Sequence, residues 1–166
     1  LDGLEPVHDQ QRGKGNFKKV LHALDLLKKN NIPVYLNTVI TKNNCTQIDT
    51  VLDIARKFDV KLVIQPVFYA KQSHAGNLEG YLSTKYDDQM MLETLDHIIS
   101  LKARGDALIM LSKRYYLTVK EAIIHQKPVR CRYGGMLLCT ISPDGRVGPC
   151  NLHARDYRWL NGNEVG

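Results

Sequence analysis

The feature that most restricts the fold of this chain is a two-part pattern, an amphipathic helix followed by a short apolar strand, which occurs twice. The first helix repeats apolar residues at steps of three and four, with Asn16 available as its N-cap and an end near Asn30. It leads to an apolar strand over 34–40, which is typical of a buried strand. A second helix over 48–58 leads to a similar strand over 62–67.

This alternation predicts an α/β fold with a parallel sheet, because parallel neighbours need a helical crossover to bring the chain back to the same edge. The same architecture makes Leu1-Asp2-Gly3 the end of an earlier strand. A long loop over 69–85 follows the last of these strands, and loops of that length are often functional. Beyond it, apolar spacing predicts a helix over 87–104, a strand over 107–111 and a helix over 114–125.

The composition indicates an ordinary globular protein rather than a fibrous, disordered or membrane-spanning one. The chain has 166 residues, of which 43% are hydrophobic and 24% charged, enough for one sizeable domain or one and a fraction. The sequence contains no apolar run near the roughly 18 residues of a membrane-spanning helix, and it does not open on a signal peptide. We therefore expect a cytoplasmic protein without a membrane partner.

The net charge of +6 does not indicate a nucleic-acid partner, because the charge is evenly spread. Residues 1–60 carry 9 basic and 7 acidic side chains, residues 61–120 carry 8 and 6, and residues 121–166 carry 6 and 4. A nucleic-acid binder usually concentrates its Lys and Arg on one face or segment. The basic residues here are interpreted as solvated faces of helices.

The last part of the chain differs in character and predicts a small β-hairpin domain. Ser142-Pro143-Asp144-Gly145 is typical of a hairpin turn, because Pro presets φ and Gly accepts a positive φ. The turn separates two short β-prone runs over 137–141 and 146–148. We accordingly divide the chain into residues 1–127 and residues 128–166.

Three of the four cysteines, Cys131, Cys139 and Cys150, fall in this hairpin region. Folding the hairpin brings Cys139 and Cys150 within a residue or two of each other, with Cys131 entering from the preceding loop. A disulfide, a zinc site, an iron–sulfur cluster and coincidental structural cysteines all remain open at this stage. The varied spacing favours an iron–sulfur cluster, whereas Cys45 stands alone and is predicted to act as a small hydrophobe.

Three stretches of the chain resemble radical S-adenosylmethionine enzymes, and the resemblance extends over almost the whole chain. Leu1-Asp2-Gly3, followed by the run from His8 to Phe17, resembles the Ser-x-Asp-Gly … His-Asp-x-x-Arg-Gly-x-Gly-Ser-Phe stretch of that family. The run from Asn37 to Asn43 resembles the strand and turn that come next. Cys131-x13-Gly145-x4-Cys150 resembles the opening of the C-terminal extension called SPASM, or of its shorter relative Twitch, which hold auxiliary iron–sulfur clusters.

The resemblance implies a fold of which this chain contains only a part. It implies the C-terminal half of a partial (βα)6 barrel, followed by the beginning of a small Cys-rich β-hairpin cluster domain. The family's defining Cys-x3-Cys-x2-Cys lies upstream of the Ser-x-Asp-Gly segment and is absent from this sequence. The chain alone is therefore expected to be inactive toward S-adenosylmethionine.

For a complete protein, the resemblance implies a radical enzyme that binds S-adenosylmethionine and a 4Fe-4S cluster. Reductive cleavage of S-adenosylmethionine gives a 5′-deoxyadenosyl radical, which modifies a peptide, a protein or a small cofactor precursor. The implied reductant is a protein such as flavodoxin or ferredoxin. The alternative function is a non-catalytic zinc-binding module that recognises a protein partner through its hairpin.

Asp2, Asn37 and Gln65 are candidate cofactor-binding side chains, because ligands of parallel barrels gather at the carboxyl ends of the strands. Arg12 is a fourth candidate, because it matches the Arg of the family's His-Asp-x-x-Arg-Gly segment. Asp2 matches the family's acidic position, which faces the S-adenosylmethionine pocket, but it is also unremarkable as a turn Asp before Gly. Arg12 could bind a carboxylate through its fork or form an ion pair with Asp9. Asn37 and Gln65 interrupt apolar strands, where they contact either the pocket or the protein itself.

Overall fold

The computed structural model describes residues 1–67, 88–125, 140–141 and 147–148. The chain divides into two compact units, one formed by Leu1–Val67 with Thr84–Lys127 and the other by Phe68–Ser83 with Pro128–Gly166. Within the described parts, no helix is long and apolar enough to cross a membrane. The first unit contains the predicted helix-and-strand repeats.

Apart from its first helix, the first unit contains helices and strands in the order that the sequence predicts. Its elements are α1 (Glu5–Arg12), α2 (Asn16–Lys29), β1 (Tyr35–Ile40), α3 (Ile48–Phe58), β2 (Lys61–Pro66), α4 (Asp88–Ala103) and α5 (Lys113–Ile124), with a short 3₁₀ turn at Cys45–Gln47 before α3. Strands β1 and β2 pair in parallel, with Tyr35 opposite Lys61 and Ile40 opposite Pro66. The mixed α/β class is thereby confirmed, and closure into a partial barrel stays a prediction.

Two further segments lie along the outer edges of this strand pair. On the β1 side, the Leu1 nitrogen donates to the Asn37 carbonyl oxygen at 2.7 Å, and the Thr38 hydroxyl donates to the Leu1 carbonyl oxygen at 2.6 Å. On the β2 side, Leu62 and Ile109 form an isolated parallel bridge. Leu1-Asp2 therefore borders β1 as the sequence predicts, whereas the predicted strand over 107–111 is reduced to one bridge.

Strand β1 is covered on one face only, which corrects the prediction that it is buried. Leu36, Thr38 and Ile40 are buried, while Tyr35 and Asn37 on the opposite face are exposed. The covered face packs into a core to which α3, α4 and α5 also contribute, including Val51, Leu52, Ala55, Met91, Leu95, Ile98 and Tyr116. Alternating burial of this kind leaves the polar side chain of Asn37 facing solvent.

Helix α1 is an element that the apolar pattern did not predict, and it changes how α2 begins. Asn16 is the first residue of α2 rather than its N-cap, and no side chain of the capping residue Gly15 is available. Instead the Asp9 carboxylate, from α1, accepts hydrogen bonds from the backbone N–H groups of Gly15 and Phe17. These bonds lower the pKa of Asp9, because they favour its charged form.

The described part of the second unit is a two-stranded antiparallel ladder. β3 (Thr140–Ile141) pairs with β4 (Val147–Gly148), so that Thr140 lies opposite Gly148. The predicted hairpin requires an antiparallel pairing of this kind, and its turn at Pro143-Asp144 lies outside the described residues. Cys131, Cys139, Cys150 and the loop over 69–85 lie outside the described residues.

Candidate functional site

The candidate site lies where the Leu1-Asp2 segment passes the carboxyl end of β1. Asp2 is only 1% exposed, and both of its carboxylate oxygens are occupied. Oδ2 accepts from Arg12 Nε at 2.6 Å, and Oδ1 accepts from the Val39 backbone N–H at 2.9 Å. Asp2 therefore joins α1 to β1, and Arg12 pairs with Asp2 rather than with Asp9.

Helix α1 presents a second contact to the same residue. His8 precedes Arg12 by one helical turn, so the two side chains share a face of α1. The His8 Nδ1 atom accepts from the Asp2 backbone N–H at 3.1 Å, and the ring packs edge-on against Phe17 with centroids 6.0 Å apart. The His-Asp-x-x-Arg spacing thus holds Asp2 at its backbone and at its carboxylate.

The turn after β1 provides a third connection, through a residue that the sequence reasoning did not select. Asn44 is 1% exposed, and its amide nitrogen donates to the carbonyl oxygens of Asp2 at 3.2 Å and Val39 at 2.8 Å. Its amide oxygen accepts from the Thr41 backbone N–H at 2.8 Å. Asn in a polar turn gives no sequence signal for this role, because the bonds depend on a residue 42 positions away.

A depression of about 570 Å³ opens beside Asp2. It is bordered by the Leu1-Asp2 segment, by α1, by the first turns of α2 and by β1, through Leu1, Asp2, His8, Arg12, Asn16, Lys19, Val20, Ala23 and Asn37. Because Asp2 is already satisfied, the hydrogen-bonding capacity that remains among these side chains is mainly that of donors. The depression is therefore suited to a ligand that carries an anionic or carbonyl oxygen.

Two cations supply most of that capacity. Arg12 is half-exposed and uses only Nε on Asp2, so its two terminal Nη atoms have no acceptor among the described residues. Lys19 is exposed and forms no ion pair within the same ranges. A planar guanidinium whose fork remains available matches the geometry of a carboxylate.

His8 also lines the depression, and its buried Nε2 atom is a further polar atom available to a ligand. The side chain is 3% exposed, and Nε2 is a buried polar atom that lacks a hydrogen-bond partner in the described structure. Burial lowers the pKa of His8, because desolvation disfavours the imidazolium form. The ring is therefore neutral near pH 7.

The candidate residues predicted from the sequence are partly brought together. Asp2, Arg12 and Asn37 line the depression, and Gln65 does not. Gln65 is half-buried and lies opposite Val39, so it shares the open face of the sheet with Asn37. Among the described residues no cluster of three or more His, Cys, Asp or Glu side chains is arranged for a metal ion. Cys45 is buried, and its Sγ lies 3.6 Å from the Lys42 carbonyl oxygen.

No protein-family model matches the chain. The chain is 25% identical over 172 residues to a cysteine-type anaerobic sulfatase-maturating enzyme of Clostridium novyi, an alignment that covers 94% of this chain and 43% of the relative. The chain is also 35% identical over 54 residues to the sporulation killing factor maturation protein SkfB of Bacillus subtilis. This shorter match covers 32% of this chain and 13% of the relative.

Solved structures show the same fold. A structure of native anSMEcpe with bound AdoMet and Cp18Cys peptide superposes with a TM-score of 0.65 at 21% identity, covering 100% of this chain and 47% of that one. A second structure, native anSMEcpe with bound AdoMet, gives a TM-score of 0.63 at 21% identity. The chain spans a little under half the length of these relatives.

Proposed function

On the premise that the chain is a relative of radical S-adenosylmethionine maturases, as its sequence resemblance predicts and the comparisons confirm, we propose that it works as part of such an enzyme. The longer parent protein, of which this chain is part, is proposed to bind S-adenosylmethionine, whose one-electron reduction would release methionine and a 5′-deoxyadenosyl radical. The observation that carries this proposal is the donor-lined depression beside Asp2, on a fold shared with proteins solved with AdoMet bound. The chain by itself is proposed to be inactive.

The residues around the depression fit S-adenosylmethionine, which carries a carboxylate and an adenosine ribose. Arg12 offers its two Nη atoms to the carboxylate, while the ion pair with Asp2 holds its Nε atom in place. Asn37 offers an exposed amide at the open face of the sheet, and Gln65 extends that polar face away from the depression. The proposed role of Arg12 and Asn37 is to bind and orient the ligand, whereas Gln65 lies outside the depression.

The substrate class we propose is a peptide or a protein segment. One of the similar structures contains a bound peptide, and the similar enzymes are named for the maturation of a sulfatase and of a sporulation killing factor. A protein reductant such as flavodoxin or ferredoxin would supply the electron. A small cofactor precursor is the alternative substrate class. If it is the substrate, the parent protein should show no affinity for peptides.

The cysteines carry a separate part of the proposal, an auxiliary 4Fe-4S cluster ligated by Cys131, Cys139 and Cys150. The pairing of Thr140 with Gly148 supports it, because Cys139 precedes Thr140 in the chain and Cys150 follows Gly148 by two residues. Three thiolates leave one iron site for another ligand. The extension is thus proposed to begin at residue 128, as in SPASM or Twitch domains.

Binding of S-adenosylmethionine tests the cofactor site directly. In the anaerobically purified parent protein, isothermal titration should detect binding, and Arg12→Lys should weaken it about tenfold, because Lys keeps the charge and loses the fork. Lys14→Ala is the control, since Lys14 is an exposed cation two residues after Arg12 in the chain and does not line the depression. Equal affinities for wild type and Arg12→Lys would contradict the proposed role of Arg12.

Metal analysis separates the auxiliary cluster from the zinc-module alternative. Protein reconstituted with iron and sulfide should be brown, with absorption near ~400 nm from thiolate–iron bonds, and Cys131→Ser or Cys150→Ser should reduce both the colour and the iron content. Cys45→Ser is the control and should leave both unchanged, because Cys45 is buried in the first unit. Stoichiometric zinc without iron would favour the zinc-binding interaction module instead.

A further inference from the structure

The Nε2 atom of His8 is anomalous in the first unit. Buried polar atoms almost always have a hydrogen-bond partner, because an unpaired one loses its hydration without compensation. His8 Nε2 is the one buried side-chain N or O atom in the described residues that has no partner. Such an atom is expected where the partner arrives with a ligand.

The protonation of this ring is fixed by its other nitrogen. His8 Nδ1 accepts the Asp2 backbone N–H, so it must present a lone pair and cannot carry hydrogen. A neutral ring then has its hydrogen on Nε2, which makes that atom a donor. The partner that Nε2 lacks is therefore an acceptor.

The charged surroundings indicate which acceptor fits. The depression that His8 borders is flanked by Arg12 from α1 and Lys19 from α2, both cationic, and by the neutral amides of Asn16 and Asn37. The Asp2 carboxylate is neutralised by Arg12 and by a backbone N–H. A carboxylate is the oxygen acceptor that these groups favour most strongly.

We propose that His8 is a cofactor-binding residue whose Nε2–H donates a hydrogen bond to the carboxylate of S-adenosylmethionine. This inference rests on the proposed function and adds a residue to it. His8 gives a fixed direction, because Asp2 locks its tautomer and Phe17 supports its ring. The same side chain thereby couples the ligand to the Leu1-Asp2 edge of the sheet.

Two substitutions distinguish the contribution of His8 Nε2 from that of His8 Nδ1. His8→Asn keeps a polar atom near the Nδ1 position and loses the one at Nε2, whereas His8→Gln places an amide near Nε2 and loses the acceptor at Nδ1. In the parent protein, His8→Asn should bind S-adenosylmethionine about tenfold to hundredfold more weakly than wild type. His8→Gln should recover most of that affinity, although it melts at a lower temperature.

A ligand without the carboxylate provides the decisive comparison. Decarboxylated S-adenosylmethionine should bind wild type and His8→Asn with equal affinity, because the proposed partner of Nε2 is missing from it. Equal weakening of both ligands in His8→Asn would overturn the proposal and assign His8 a purely structural role. Unchanged affinity of His8→Asn for S-adenosylmethionine would overturn it as well, while leaving the proposed function intact.

Nuclear magnetic resonance of ¹⁵N-histidine-labelled parent protein gives a readout that does not depend on activity. The His8 ring should show the Nε2–H tautomer before ligand is added, and its Nε2 proton should move downfield with S-adenosylmethionine but not with the decarboxylated form. An Nδ1–H tautomer would overturn the proposal. Wild-type protein that binds neither ligand would instead overturn the proposed function, and this inference with it.

Discussion

Replacement of Asn44 by Ala tests whether one buried amide holds the site together. The side chain makes three hydrogen bonds to backbone groups, which belong to Asp2, Val39 and Thr41. Ala removes all three and leaves those groups without their partner in a region closed to water. Each lost bond costs about 0.5–1.5 kcal/mol, so we expect a loss of about 2–4 kcal/mol in the free energy of unfolding.

Urea unfolding followed by circular dichroism measures this difference, with thermal unfolding as a second probe. A loss of that size lowers Tm by about 5–15 °C in a chain of this length. Asn43→Ala is the matched control, because the adjacent Asn43 side chain makes no hydrogen bond in the described structure and should cost under about 0.5 kcal/mol. Asn44→Asp keeps the shape but loses the amide donor, and it should also destabilise.

Equal urea midpoints for Asn44→Ala and Asn43→Ala would contradict this role of the buried Asn44 amide. The role is also contradicted if Asn44→Asp is as stable as wild type, because a carboxylate cannot donate to the carbonyl oxygens of Asp2 and Val39. Either result would mean that the turn after β1 is held by packing rather than by its buried amide.

Three further substitutions or conditions have defined outcomes. Gly3→Ala should cost about 2–4 kcal/mol in urea unfolding, because Gly3 has φ +119° and an added Cβ would push Gln47 Oε1 away from the Leu4 N–H that donates to it. Gly105→Ala, at φ +86° in open space, should cost about 1 kcal/mol. Tyr116→Phe should cost about 1 kcal/mol, because it removes a buried bond to a β2 carbonyl oxygen, and an unchanged urea midpoint would count against that bond. The lowered pKa of His8 means that the unfolded chain binds a proton more readily, so stability should be full above about pH 6.5 and fall below it, a decline that His8→Asn should reduce in urea titrations at pH 7.5 and 5.

The long periodic elements of the first unit were predictable from the sequence, because their burial follows local spacing. The helix expected over 87–104 is α4, and Met91, Leu95 and Ile98 face inward as their spacing indicates. Strand β1 was placed correctly, but its exposed face was not predicted. An apolar run in the sequence does not indicate whether one or both faces of the strand are covered by neighbouring elements.

Helix α1 could not be predicted from the apolar pattern of the sequence. It is only eight residues long, and its polar run offers too few apolar positions to define a stripe. Because α1 was missed, Asp9 was not recognised as the group that caps α2, and Asp9 rather than Asp2 was the ion-pair partner considered for Arg12. The motif residues had been selected through a family resemblance, whereas the contacts that explain their spacing are tertiary.

His8 illustrates the same limit at the candidate site. A histidine before Asp in a polar stretch looks solvated, and only the fold reveals that His8 is buried. One of its ring nitrogens accepts a hydrogen bond, and the other has no partner among the described residues. Asp2 and Arg12 were selected from the sequence as separate cofactor contacts. In the structure they form one ion pair that leaves only Arg12 with donors available.

Formation of 5′-deoxyadenosine tests the central claim most directly, namely that this chain belongs to an enzyme that cleaves S-adenosylmethionine. The anaerobically reconstituted parent protein should be incubated with S-adenosylmethionine and dithionite, and the product measured by liquid chromatography with mass detection. We predict 5′-deoxyadenosine well above a buffer control from the parent protein, and none from residues 1–166 alone. A parent protein that binds S-adenosylmethionine and retains its iron, yet forms no 5′-deoxyadenosine, would contradict the account.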